Sequence, residues 1–304
     1  MTAIAAPSRA TSSVWGRSFG VQLTPGRHLA RAALLVVLMA SLSLLLELVV
    51  VSNLQQRSAQ QRAFDTFRSD LALGTAPVGP TDREGRVLAP GTSVAFLEIP
   101  AIGLRQVVGE GSDPATLFDG PGHRRDTPLP GQVGTSMILG RRASFGGPFS
   151  EIGSLDQGDE IKITTGQGVY EYTVRGVRHE GDPAPPTVET GKGRLLLVTA
   201  SGRPFMPTGV LRVDAELKGT GAATPRRLVS SANLPPAEQI MGADTSTLWA
   251  LALWLQALVL VTLLAVYAWH RWGRAKAWVI FLPPLLLIGM SVASEAARIM
   301  PNLL

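Results

Sequence analysis

Three long apolar runs and one region of short alternating segments organise this chain. Residues 32–51, 248–269 and 278–297 are apolar over roughly the 20 residues that cross the hydrocarbon layer of a bilayer. Each predicts a transmembrane helix, since a domain of this size rarely buries three such runs in its core. Pro283 and Pro284 predict a kink in the third, and Glu295 lies near its end. Between the first two runs the pattern shortens to period two. VAFLEI (94–99), QVV (106–108), SMILG (136–140), EIKITT (160–165), GVYEYTV (168–174), RLLLVTA (194–200) and VLRVDAEL (210–217) predict strands, parted by turns such as DQGD and TTGQG. DPATLF (113–118) and PFSEIGSL (148–155) predict short helices. Many short strands over residues 94–218 predict a mainly β domain, either a barrel or a sandwich.

The polar stretches fill in the organisation. In residues 52–72, Phe64, Phe67 and Leu71 keep the three-to-four spacing of a helix stripe, which predicts a stalk helix that docks on the domain or on a partner. The remainder of 52–93 is rich in Gly and Pro and reads as a linker, as does 219–247. Charge sets the orientation. The tail 1–31 carries Arg9, Arg17, Arg27 and Arg31 with no acid, and the loop 270–277 carries Arg271, Arg274 and Lys276. Positive flanks stay cytoplasmic, so the β domain and the tail 298–304 are expected outside a multi-pass cell-membrane protein with its N-terminus inside. The first run lacks a small-x-small cleavage site and predicts an uncleaved anchor.

Composition narrows the function classes. The net charge of +5 arises in the tail and the short loop, because residues 94–218 hold 13 basic and 15 acidic residues. A nucleic-acid interface is therefore not expected. No zinc-ligand spacing, Walker loop, dinucleotide fingerprint or calcium loop is visible, so neither metal nor cofactor is expected. The chain contains no cysteine, and an exported domain without disulfides must be held by its core alone.

Six segments resemble the sortase family in order and spacing: FLEIPAIGL (96–104), GPGHRRDTPLPGQVGT (120–135), SMILGRR (136–142), PFSEIGSLDQGDEIKI (148–163), VYEYTV (169–174) and RLLLVTASGRP (194–204). Sortases are membrane-anchored cysteine transpeptidases of the Gram-positive cell surface. The resemblance implies an eight-stranded β-barrel, here with transmembrane helices on both sides. It also implies a catalytic His, Cys and Arg, whose positions fall on Arg141, Ala200 and Val210. Arg212 lies two residues on, on the same strand face, and is a displaced candidate for the family arginine.

The substitutions remove the reaction. A methyl group forms no acyl-enzyme, and a guanidinium stays protonated and does not cycle a proton to a leaving amine. Ser201 follows the lost cysteine as a weak substitute nucleophile. A one-residue slip turns it to the opposite strand face, and a loop-start serine is the ordinary reading. His123, in the GPGHRR segment, is a common family feature, and ordering of that loop is its ordinary role. Arg124, Arg125, Arg141, Arg142 and Arg203 border the groove. They either converge as an anion-binding cleft or are solvated loop arginines paired with neighbours such as Asp126 and Glu151.

The chain is thus expected to be a catalytically inactive sortase-like protein of the cell envelope. It would bind a surface-protein segment or sorting-signal-like peptide, or assist an active sortase or a membrane assembly. Two alternatives stand beside this: a transpeptidase or hydrolase with a rearranged site, and a structural envelope protein acting through its membrane hairpin.

Overall fold

The computed structural model describes residues 34, 38, 41–43 and 50–304 except 227. The tail 1–31 and most of the first apolar run, 32–51, lie outside the described residues. Eight strands close into one barrel: β1 Ser93–Ile99, β2 Leu104–Glu110, β3 Gly122–His123, β4 Gly134–Leu139, β5 Glu160–Thr165, β6 Gly168–Arg178, β7 Gly193–Arg203 and β8 Met206–Leu217. Their order around the barrel is β1-β2-β3-β4-β7-β8-β6-β5, and β5 pairs back onto β1. The β2/β3 and β4/β7 pairs are parallel, and the others are antiparallel. The predicted strands are all present, with two-residue β3 in addition. PFSEIGSL forms only a short 3-10 turn at Ile152–Ser154. DPATLF becomes α2, Pro114–Asp119, capped by the Asp113 side chain.

Two apolar layers explain the pattern of β7. Leu195 and Leu197 point into the barrel core with Leu97, Ile99, Ile138, Ile163, Tyr172 and Val213. Leu196, Val198 and Ala200 point outward into a second cluster. A strand covered on both faces needs no polar alternation, so Leu195–Val198 is a continuous apolar run.

The stalk stretch is α1, Ser52–Leu73, ended by left-handed Gly74. It docks on the barrel. Phe67 is buried against Ala76 and Val107, and Phe64 meets Phe96 at 5.2 Å between ring centres. The side chain of Gln60 mimics a strand: its Oε1 accepts from the Val107 N–H at 2.7 Å, and its Nε2 donates to the Val107 carbonyl at 3.1 Å. Where β2 has no strand partner, the helix supplies one amide.

The 219–247 stretch, expected to be a linker, is irregular but lies against the barrel. Ala222 bridges Gln132, Leu234 is buried, and Ile240 and Met241 pack on the outer cluster. Two helices follow, α3 Leu248–Trp272 and α4 Arg274–Ile299, joined only by Gly273 at φ 88°. The predicted eight-residue loop is therefore mostly helical. Pro283 and Pro284 sit inside α4 without ending it. Both helices are long and apolar enough to cross a membrane, and their leucines and tryptophans are largely exposed. A Cβ on Gly289 of α4 would fall 2.5 Å from Ser43 Oγ, so the Ser43 side chain packs directly against the α4 backbone at Gly289.

Candidate functional site

Of the three positions named from the resemblance, two pair directly and the third follows the neighbouring strand. Ala200 on β7 pairs directly with Val210 on β8, and Arg141 follows β4, whose Leu139 pairs with Val198. Gly140, between them, has no room for a side chain, because a Cβ would sit 2.5 Å from the Phe149 ring. That contact fixes the exit of β4 and the direction in which Arg141 leaves it. Ala200 and Val210 are buried among Leu117, Leu139, Leu196 and Val198. Arg142 reaches the same place and donates from Nη1 to the Ala200 carbonyl at 3.2 Å.

Arg141 is buried, 1% exposed, and no Asp or Glu side chain pairs with it among the described residues. Its guanidinium lies over the Phe118 ring, 4.7 Å from the centre, and 5.2 Å from that of Phe145. Those two rings stack on each other at 3.9 Å. The π faces take part of the role that a counter-ion would play. Burial pulls the Arg141 pKa down to about 9, so the group still carries its charge at neutral pH.

The face around Ala200, where the resemblance places the groove, is covered by the chain itself. Asn302 is fully buried and Leu303 completely so, and Leu303 and Leu304 join the apolar cluster around Ala200. The backbone oxygen of Leu304 accepts from Arg141 Nη1 at 3.2 Å and from Ser144 Oγ at 2.5 Å. The Arg142 N–H donates to the Leu303 carbonyl at 3.0 Å. Asn302 Nδ2 donates to the carbonyls of Ser112, Ala237 and Gln239 at 2.9, 3.2 and 2.9 Å. Neither Ser144, the two phenylalanines nor the last four residues were singled out by sequence. The signal available was slight, a proline that stops α4 followed by two leucines.

The other candidates lie apart from this contact. Ser201 turns away from the Ala200 face, and its hydroxyl meets Thr208 Oγ1 at 3.4 Å. Arg212 is half-buried on β8 opposite Val198, and Arg203 is exposed at the β7–β8 hairpin. Arg124 forms a two-point pair with Asp126, at 2.7 and 3.0 Å. Arg125 pairs with Glu238 at 3.3 Å rather than with Glu151, and also donates to the Leu88 carbonyl. Of the five arginines, only Arg141 and Arg142 converge on the groove. His123 is buried, with Nδ1 at 2.8 Å from Glu110 Oε2 and Nε2 at 3.0 Å from the Pro128 carbonyl. Burial alone would lower its pKa. The charge and hydrogen bond of Glu110, the Pro128 carbonyl and Asp126 outweigh this, so the pKa stands above the ordinary value. Among the described residues no group of His, Asp or Glu side chains is arranged to hold a metal.

Residues 97–207 match the family model described as a Sortase domain. Sortase D of Bacillus subtilis (strain 168) is 29% identical over 111 residues, covering 36% of this chain and 54% of that protein. The chain therefore spans about half the length of that curated relative. A solved Sortase D5 transpeptidase of Clostridium perfringens is 24% identical with a TM-score of 0.44, covering 53% of this chain and 99% of that one. A sortase C of Clostridium perfringens, solved with the C-terminal cell wall sorting motif, is 20% identical with a TM-score of 0.40, covering 53% and 89%.

Proposed function

We propose that this chain, which belongs to the sortase family as a degenerate member without cysteine, is a binding component of the cell envelope rather than a transpeptidase. One observation carries the reading. Where the family reaction needs a thiol, Ala200 places a methyl group inside an apolar cluster, and no residue of the chain supplies sulfur nucleophilicity. Arg141 holds the histidine position and stays charged at neutral pH, so it donates hydrogen bonds but does not shuttle a proton. The partner is a peptide segment of a surface protein, the chemical class suited to a groove with apolar pockets and donors aimed at backbone oxygens.

The protein works as a multi-pass membrane protein with the barrel outside and the N-terminus in the cytoplasm. Charge at the tail 1–31 and around Gly273 supports this orientation. The packing of Asn302–Leu304 against the barrel supports it too, because the end of α4 and the barrel must then share one side of the bilayer. The test is turnover. Full-length protein in detergent is incubated with a fluorogenic sorting-signal peptide and an amine acceptor, and release should equal that of a protein-free blank. Release that disappears in Ser201→Ala would instead assign the reaction to that serine.

A further inference from the structure

A groove that has lost its chemistry still has to be filled, and the structure shows with what. Pro301 follows α4, and Asn302 is held through Nδ2 by three carbonyls from two separate places: Ser112 after β2, and Ala237 and Gln239 in the 219–247 stretch, a strap over the barrel. Its own N–H donates to the Gly242 carbonyl at 2.8 Å. Leu303 and Leu304 then enter the apolar cluster on the Ala200 face. Each of their backbone oxygens meets a donor from the loop after β4: the Arg142 amide, Arg141 Nη1 and Ser144 Oγ. Leu303 has no exposed surface and Leu304 only 7%. The contact is therefore built from both partners. One side offers matched donors and an apolar floor, and the other offers an anchoring amide and two leucines.

Arg141 gives the second, independent observation. Its Nε and Nη2 are buried without hydrogen-bond partners, so the oxygen of Leu304 is one of the few acceptors that compensate a buried cation. A cation placed there without any acceptor would be strongly disfavoured. The arginine at this position is thus matched to an occupant that brings a carbonyl.

We infer that Pro301–Leu304 is the resident intramolecular ligand of the degenerate groove, a short turn, closed by the Leu304 N–H on the Pro301 carbonyl at 3.1 Å, that covers it and latches α4 to the barrel. The inference rests on the reading of this groove as a binding site. An incoming peptide of the same character, with adjacent leucines and free backbone oxygens, has to displace this segment. The tether gives the resident segment an effective concentration on the millimolar scale, which sets the threshold a competitor must overcome.

The absence of cysteine makes a direct experiment available. Ala200→Cys puts the chain's single thiol under Leu303 and Leu304 in the full-length protein in detergent. Its rate of reaction with a maleimide reads how often the segment lifts away. Labelling should be slow, and should accelerate by roughly tenfold or more when Leu303→Asp and Leu304→Asp are added, from the loss of two buried apolar side chains. A hexapeptide of sequence IMPNLL at several millimolar should slow the accelerated reaction again. In parallel, Ala215→Cys places a thiol in the barrel core, and it should stay slow with or without the aspartates. An unchanged rate at position 200 would overturn the inference. So would equal acceleration at 200 and 215, which would make the segment a general support of the fold, or equal protection by a scrambled hexapeptide. Peptide turnover is a separate readout, so failure of the non-catalytic reading and failure of the latch are distinguishable.

Discussion

Removing His123 tests whether the buried pair behind the groove is a charged one. Glu110 and His123 are 4% and 1% exposed, and Nδ1 meets Oε2 at 2.8 Å. His123→Ala leaves the Glu110 carboxylate in the barrel wall without its partner, a change that costs about 3–5 kcal/mol. Glu110→Gln keeps an acceptor for Nδ1 and removes the charge, and should cost less, about 1–3 kcal/mol. The pH dependence carries the sharper signature. The folded pKa of His123 lies above 6.5, so the stability the pair supplies is fully present below that value. It is lost as pH rises through the folded pKa. Glu238, whose carboxyl is raised by burial despite Arg125, works in the same direction but from about pH 4.5 upward. Asp113 and Asp126 complete the charged surroundings. The measurement is urea unfolding of the full chain in detergent between pH 5.5 and 8.5, compared with His123→Gln. Far-UV circular dichroism must follow it, because none of the six tryptophans falls within residues 93–217 of the sequence. The stability gap between wild type and His123→Gln should narrow as pH rises. A gap that is flat or widens would show that the pair is neutral in the folded protein.

Gln60→Ala should cost about 1–3 kcal/mol by stripping the Val107 N–H and carbonyl of their amide partner, with Gln60→Glu recovering only the bond from the N–H; urea midpoints measure both. Gly140→Ala drives a methyl group into the Phe149 ring and should lower stability by about 1–3 kcal/mol, whereas Gly158→Ala, at an open turn, carries only its backbone strain. Single cysteines at Ser93 and Gly273 should divide by side in intact cells. An impermeant thiol reagent should reach position 93, and labelling at 273 but not 93 would reverse the orientation.

The strands were legible because most of them alternate, and β7 because its length and flanking turns mark it even without alternation. Closure into a barrel was not legible from period alone. It came with the family resemblance, since no local pattern states that β5 returns to β1. Two-residue β3 carries no periodic signal at all. At the site, the loss of the nucleophile was plain from Ala200 and the missing cysteine, while the fate of the arginines was not. Arg125 finds Glu238 across 113 residues, and Arg141 finds Leu304 across 163. Such pairings are decided by how the strap and α4 return over the barrel, which charge and spacing along the chain do not encode. For the same reason the 219–247 stretch looked like a free tether: its few apolar residues, Leu234, Ile240 and Met241, are too scattered to form a stripe, yet each finds a place on the barrel.

The docking of α1 on one flank and of Asn302–Leu304 on another has a mechanical consequence. A domain held by a single stalk sweeps a hemisphere and samples partners at many heights above the lipid. This one is moored fore and aft, so its rotation and reach are set by two fixed attachments on the same barrel. If the barrel lies outside the bilayer as proposed, its degenerate face is held at one height and in one direction. A peptide that enters as proposed must then travel close to the bilayer, and its arrival would slacken the very line that keeps the domain in place.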